Sequence, residues 1–128
     1  MIRSMGLAAL MVAMAACGTA APDLRATDLP TDGQGLFEAR AMGNRPGCIT
    51  CHSTEPGEDL VGPSLAGVGQ SAASRVEGMD PERYLRQSIV DPDAHLVEGY
   101  KSGLMPGDLV TILSDEQIQA LIDYMEGL

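Results

Sequence analysis

The sequence predicts a single all-α domain, and three observations carry that reading. Stretches opening at Asp80 and at Ser114 bear strong helix-start signals and continue with apolar residues at helical spacing. No segment alternates apolar and polar residues in the manner of a strand. The chain, at 128 residues, is long enough for one domain, yet its aromatic residues are only Phe37, Tyr84, Tyr100 and Tyr124, with no Trp. So thin a set of large side chains is marginal for a core of roughly 95 residues, and a bulky apolar group from outside the chain would supply the missing volume.

Residues 1–16 carry one early charge, Arg3, and then an apolar run from Met5 to Ala16. The run falls short of the ~20 residues a membrane-spanning helix needs and has the layout of a secretory signal peptide. It ends Met14-Ala15-Ala16-Cys17-Gly18, small residues directly before a Cys. That pattern resembles a bacterial lipobox, in which the Cys is lipidated and becomes the mature N-terminus. Ordinary cleavage after Ala15 or Ala21 is the alternative; lipidation is preferred because it gives Cys17 a role in an exported protein. Residues 17–31, with two prolines and small or polar residues in no sustained period, read as a flexible tether. Residues 32–128 make the domain.

Asp32 is a fair N-cap for a first helix that includes Phe37 and Met42 and ends in Gly43-Asn44-Arg45-Pro46-Gly47. Gly33 sits inside that helix at a cost in stability, so it invites a packing explanation. Then comes Cys48-Ile49-Thr50-Cys51-His52, the C-x-x-C-H attachment motif of c-type haem. Thiols three positions apart reach the two vinyl groups of one haem and form thioethers, and the adjacent histidine can bind the iron. A zinc site would need four ligands, and with Cys17 in the leader only His95 remains. A thioredoxin-like redox pair would need a βαβ context. A Cys48–Cys51 disulfide would leave His52 without a role.

Further along, Gly62-Pro63-Ser64-Leu65-Ala66-Gly67 is a turn signal. Asp80 caps and Pro81 occupies the first position of a helix that places Tyr84, Leu85, Ser88 and Ile89 on one face and stops at Asp91-Pro92. Ser114-Asp115-Glu116-Gln117 forms a capping box ahead of Ile118, Leu121, Ile122 and Met125. Between these two helices, Ser102-Gly103-Leu104-Met105-Pro106-Gly107 is a loop whose glycines and proline hold the backbone open, so that the Met105 thioether can point inward.

A formal charge of −10, from 18 acidic and 8 basic residues, argues against a nucleic-acid partner, whose phosphates need cations, and against a polybasic membrane patch. It suits a soluble carrier that meets a positively charged surface.

Over residues 32–128 these motifs resemble the small monohaem class I cytochromes c. The resemblance implies a small all-α cytochrome c fold, its helices wrapped around one covalent haem c. It implies that the first and last helices cross, with Gly33 and Phe37 meeting Leu121 and Tyr124. It makes the Pro63 carbonyl the acceptor for the second ring N–H of His52, which fixes the tautomer and plane of the ligand. It makes Met105, in a G-x-M-P loop, the second axial ligand, with His95 as rival. Thioether haem in bacteria is attached outside the cytoplasm, which agrees with an exported, periplasmic or cell-surface protein.

The function implied is one-electron transfer between redox protein partners, with neither an enzymatic role nor a small-molecule substrate. Two variants stay open: a haem subunit fixed in a respiratory complex, and a five-coordinate haem that binds peroxide or a gas. A purely structural zinc or disulfide domain is the third class.

Overall fold

The computed structural model describes residues 28–128. Four helices form the frame: α1 Gly33–Glu38, α2 Val68–Ser71, α3 Pro81–Val90 and α4 Asp115–Glu126. A two-stranded antiparallel hairpin, β1 Ala41–Met42 with β2 Arg45–Pro46, follows α1, and single 3-10 turns cover Cys48–Thr50, Ala72–Ser74 and Leu109–Thr111.

Each main helix starts where side chains satisfy its first N–H groups. The Asp32 carboxylate accepts from Gly35 N at 2.7 Å, and Asp80 accepts from Arg83 N at 2.9 Å with Pro81 following it. Ser114 and Gln117 form a reciprocal box, Gln117 N donating to Ser114 Oγ at 3.2 Å and Ser114 N to Gln117 Oε1 at 3.0 Å. Capping of this kind is worth about 1 kcal/mol per helix, a useful part of the stability of a domain this small.

The core gathers Leu36 and Phe37 from α1, Tyr84, Leu85 and Ile89 from α3, and Ile118, Leu121, Ile122 and Met125 from α4. α1 lies on α4. A Cβ at Gly33 would stand 2.7 Å from Tyr124 Cβ and closer still to the Ala120 carbonyl oxygen, so only glycine permits this approach. Phe37 and Tyr124 rings meet at 5.5 Å and 44°. The core also takes in Leu29, ahead of Asp32, and Gln117 Nε2 donates to the Pro30 carbonyl at 3.1 Å, tying that segment down.

One expectation is corrected. The first helix ends at Glu38, and fully buried Met42 lies in the hairpin instead of the helix. The reason is Gly43-Asn44, in which Gly43 takes φ +57 and closes a two-residue hairpin loop. Its strands have two residues each, too few to show the alternation by which a strand is read from sequence. The hairpin returns the chain so that Gly47 N donates to the Arg40 carbonyl at 2.9 Å, which delivers Cys48 directly beside α1.

Candidate functional site

The motif residues form one tight turn. Cys51 N and His52 N both donate to the Cys48 carbonyl, at 3.1 and 2.9 Å, and Thr50 Oγ1 donates to the Gly47 carbonyl at 2.6 Å. The turn presents Cys48, Cys51 and His52 to the same side, where all three line one cavity. The two cysteines are not bonded to each other, and both are half-buried. Burial pushes the Cys48 thiol up to about 11, so at neutral pH it is an uncharged group among apolar neighbours.

His52 is held from two directions. Gly62 N donates to the Cys51 carbonyl at 2.9 Å, and Leu65 N to the Ser53 carbonyl at 2.8 Å. These bonds fold residues 62–65 back over the ring. There His52 Nδ1 lies 2.8 Å from the Pro63 carbonyl oxygen. A carbonyl can only accept, so Nδ1 carries the proton, and in the neutral tautomer this selects, Nε2 is the nitrogen with the lone pair. Gly62 rests on the ring itself: a Cβ there would stand 2.8 Å from Nδ1 and 3.0 Å from Nε2.

The cavity is lined mainly by carbon. Leu65 and Val68 enclose it together with Leu85, Ile89, Leu109 and Leu121. Tyr84 and Ser88, on the same face of α3 as Ile89, also line it. Met105 lines the same cavity, half-buried, from a loop with Gly103 at φ +78. The structure therefore brings Cys48, Cys51, His52, Pro63 and Met105 together around one space. His95 borders that space too, its ring edge-on to Tyr84 at 5.8 Å and 76°. Cys17 lies outside the described residues.

These features fit a haem. The glycine that lets backbone lie flat on the imidazole, the ring oriented by the Pro63 carbonyl, the two thiols on one wall and the apolar lining all suit a large flat apolar group with a metal at its centre. Among the described residues no cluster of three or more His, Cys, Asp or Glu could hold a bare metal ion.

Several residues of the site carried no legible role in the sequence. Gly62 was visible only as part of a turn. Arg45 Nε and Nη2 both bond Asp108 Oδ2, the former at 3.0 Å, across 63 positions of sequence. Gly103 N donates to Asp93 Oδ1 at 3.0 Å. Burial, and then the facing Asp59 carboxylate, push the Tyr100 phenol up. None of these pairings follows a local sequence rule.

Among known protein families, the model described as Cytochrome c matches residues 30–128. No curated protein matches the chain.

Proposed function

The chain belongs to the cytochrome c family, and on that premise we propose that it is a one-electron carrier whose haem iron is held between His52 and Met105. The observation that carries the reading is that both side chains border the cavity that the two motif thiols face. When bound, the haem supplies a single chemistry, the one-electron couple between ferrous and ferric iron.

The chain's residues do the rest. Cys48 and Cys51 would hold the group as thioethers. The Pro63 carbonyl keeps the proton on Nδ1 and so directs Nε2 inward. Pro63 has a fixed φ, which makes the acceptor stiff. His52 and Met105 would hold the iron as a Met/His pair, which raises its potential relative to harder ligand sets, and with both bound no iron site would be left for a substrate. The apolar lining excludes water.

Val61, Leu96 and Leu104 border the cavity and are 53%, 43% and 49% exposed. Exposed Glu55, Glu58, Asp59, Asp93 and Glu98 lie near them in the chain. A redox partner with apolar contacts inside a basic rim matches that face, and its approach would be steered by the net charge of −10. We further propose that the chain is exported, that residues 1–16 are its signal peptide, and that Cys17 is lipidated and holds the folded domain at a membrane. Two or more acyl chains would anchor it stably, where one binds only marginally.

Met105→Ala tests the ligand pair. The haem should stay attached, the weak red-region absorption of a sulfur–ferric iron bond should vanish, and the reduced protein should bind carbon monoxide. The potential should fall by a substantial part of the about 0.8 V that axial ligands span. An unchanged spectrum, together with an altered one in His95→Ala, would overturn the assignment in favour of His95. Intact mass tests the anchor: a haem-bearing chain starting at Ala16 or Pro22 without acyl mass would end that part and leave the carrier reading standing.

A further inference from the structure

We propose that Arg45 and Asp93 are positioning residues for Met105, clasping the two ends of the loop that carries its sulfur. The inference rests on the reading of Met105 as an iron ligand.

The loop has little of its own to hold it. Residues 101–107 form no helix or strand, and their backbone makes only isolated turns at 102–103 and 107–108. Ser102, Gly103 and Leu104 are exposed, and Met105 and Pro106 are half-buried. A segment without a backbone ladder opens at low free-energy cost unless side chains tie it down. Two do so, from different parts of the chain. At the front end Gly103 N donates to Asp93 Oδ1 at 3.0 Å. Gly103 is at φ +78, so its N–H turns out of the loop toward a carboxylate ten positions earlier. At the back end Asp108 opens the Leu109–Thr111 turn, and its Oδ2 receives both Nε and Nη2 of Arg45. The other oxygen, Oδ1, is buried and has no partner among the described residues. Without Arg45 the carboxylate would keep an enclosed oxygen and lose its counter-charge, which favours swinging outward and taking the loop's end with it.

Arg45 sits in β2, immediately before the motif turn. The pair therefore joins the strand that delivers Cys48 to the loop that delivers Met105, and ties the placement of these two segments to each other. Met105 stands two residues from Gly103 and three from Asp108, so movement at either end reaches the sulfur.

The test uses the haem-loaded full chain and reads two signals of sulfur detachment. One is the rate of carbon monoxide binding to the reduced protein, which scales with the fraction of molecules whose sulfur has left. The other is the temperature at which the red-region band disappears, set beside the melt of helical ellipticity. A half-exposed charge pair and a single hydrogen bond each hold an equilibrium by a factor of about two to five. Arg45→Ala and Asp93→Ala are each expected to speed carbon monoxide binding about two- to fivefold and to lose the band well before the helices melt. Asp93→Asn keeps a side-chain oxygen to accept from Gly103 and should bind at the wild-type rate. Arg45→Lys keeps the charge but only one of two nitrogens, and should fall between wild type and Arg45→Ala.

Arg45→Ala combined with Asp108→Ala should be no faster than Arg45→Ala alone. If the wild type shows the band and the variants bind at its rate, or lose band and helix together, the clasp is wrong and the ligand reading stands. If the wild type itself shows no sulfur–iron band, the ligand reading fails and the clasp falls with it.

Discussion

The histidine side and the methionine side of the cavity are built on different plans. On the histidine side, residues 47–65 hold one another. Backbone bonds run from Cys51 and His52 to Cys48, from Gly62 to Cys51 and from Leu65 to Ser53, and the ring itself bonds Pro63 eleven positions on. On the methionine side, residues 101–107 form only isolated turns, and their long-range anchors come from Asp93 and, through Asp108, from Arg45. A locally bonded side chain is placed by its neighbours in sequence, whereas a loop-borne one is placed by whatever the rest of the fold brings to it. The first side should resist perturbation until packing fails outright. The second should yield to single contacts at a distance.

The largest expected effect breaks both sides together. Replacing Cys48 and Cys51 with Ala removes the covalent hold on the haem, and with it the filling of a cavity walled by Leu65, Leu85, Ile89, Leu109 and Leu121. Empty apolar volume costs roughly 24 cal/mol per Å³, and a domain of this size has only about 5–15 kcal/mol in total. Helical ellipticity at 25 °C should drop severely in the double variant. A haem-free protein with wild-type ellipticity and melting temperature would show that the histidine side is self-sufficient.

Gly62→Ala strikes the histidine side alone. Its new Cβ would need to stand 2.8 Å from His52 Nδ1, so either the ring or the 62–65 segment must shift, at about 1–3 kcal/mol for such overpacking. Thermal stability should fall by that amount and the haem spectrum should change, while carbon monoxide binding, which reports the sulfur, stays close to wild type. A spectrum identical to wild type would mean that the glycine is not needed against the ring.

The smallest effect sharpens the contrast on the methionine side. The Arg45 guanidinium, chiefly by hydrogen bonding, holds the Asp108 carboxyl below its ordinary range. A carboxylate with a depressed folded-state value contributes fully above its unfolded value and loses the contribution as pH falls through the folded one. The loop should thus be indifferent to pH near neutrality and loosen only in acid, below the usual carboxylate range. Carbon monoxide binding to the reduced protein should show a modest acid rise, and Asp108→Asn should flatten it. An acid limb that survives this substitution would assign it to another group.

The same division governs what is legible in the sequence. Helices α3 and α4 are legible because caps and apolar spacing act within a few residues: Asp80-Pro81 and the Ser114/Gln117 box stand where local rules put them. The end of α1 is not. Gly43-Asn44 can terminate a helix or close a hairpin, and the two readings put Met42 in different elements. The hairpin wins because it buries Met42 and returns the chain to α1. The site divides likewise. The C-x-x-C-H stretch is short, and its chemistry depends on spacing alone, so five adjacent residues are enough to announce a covalent haem.

By itself, then, the sequence determined the all-α class, the cofactor and the residues of the motif turn, since each depends on side chains a few positions apart. Only the tertiary structure decided that Gly62 lies on the imidazole, that Leu29 belongs to the core, and that Arg45 reaches Asp108 across 63 positions. Such contacts arise when separately stable segments pack, and their partners are selected by the geometry of the packed chain. No periodicity, cap or spacing rule carries that geometry, because the residues involved meet only after the elements between them have folded.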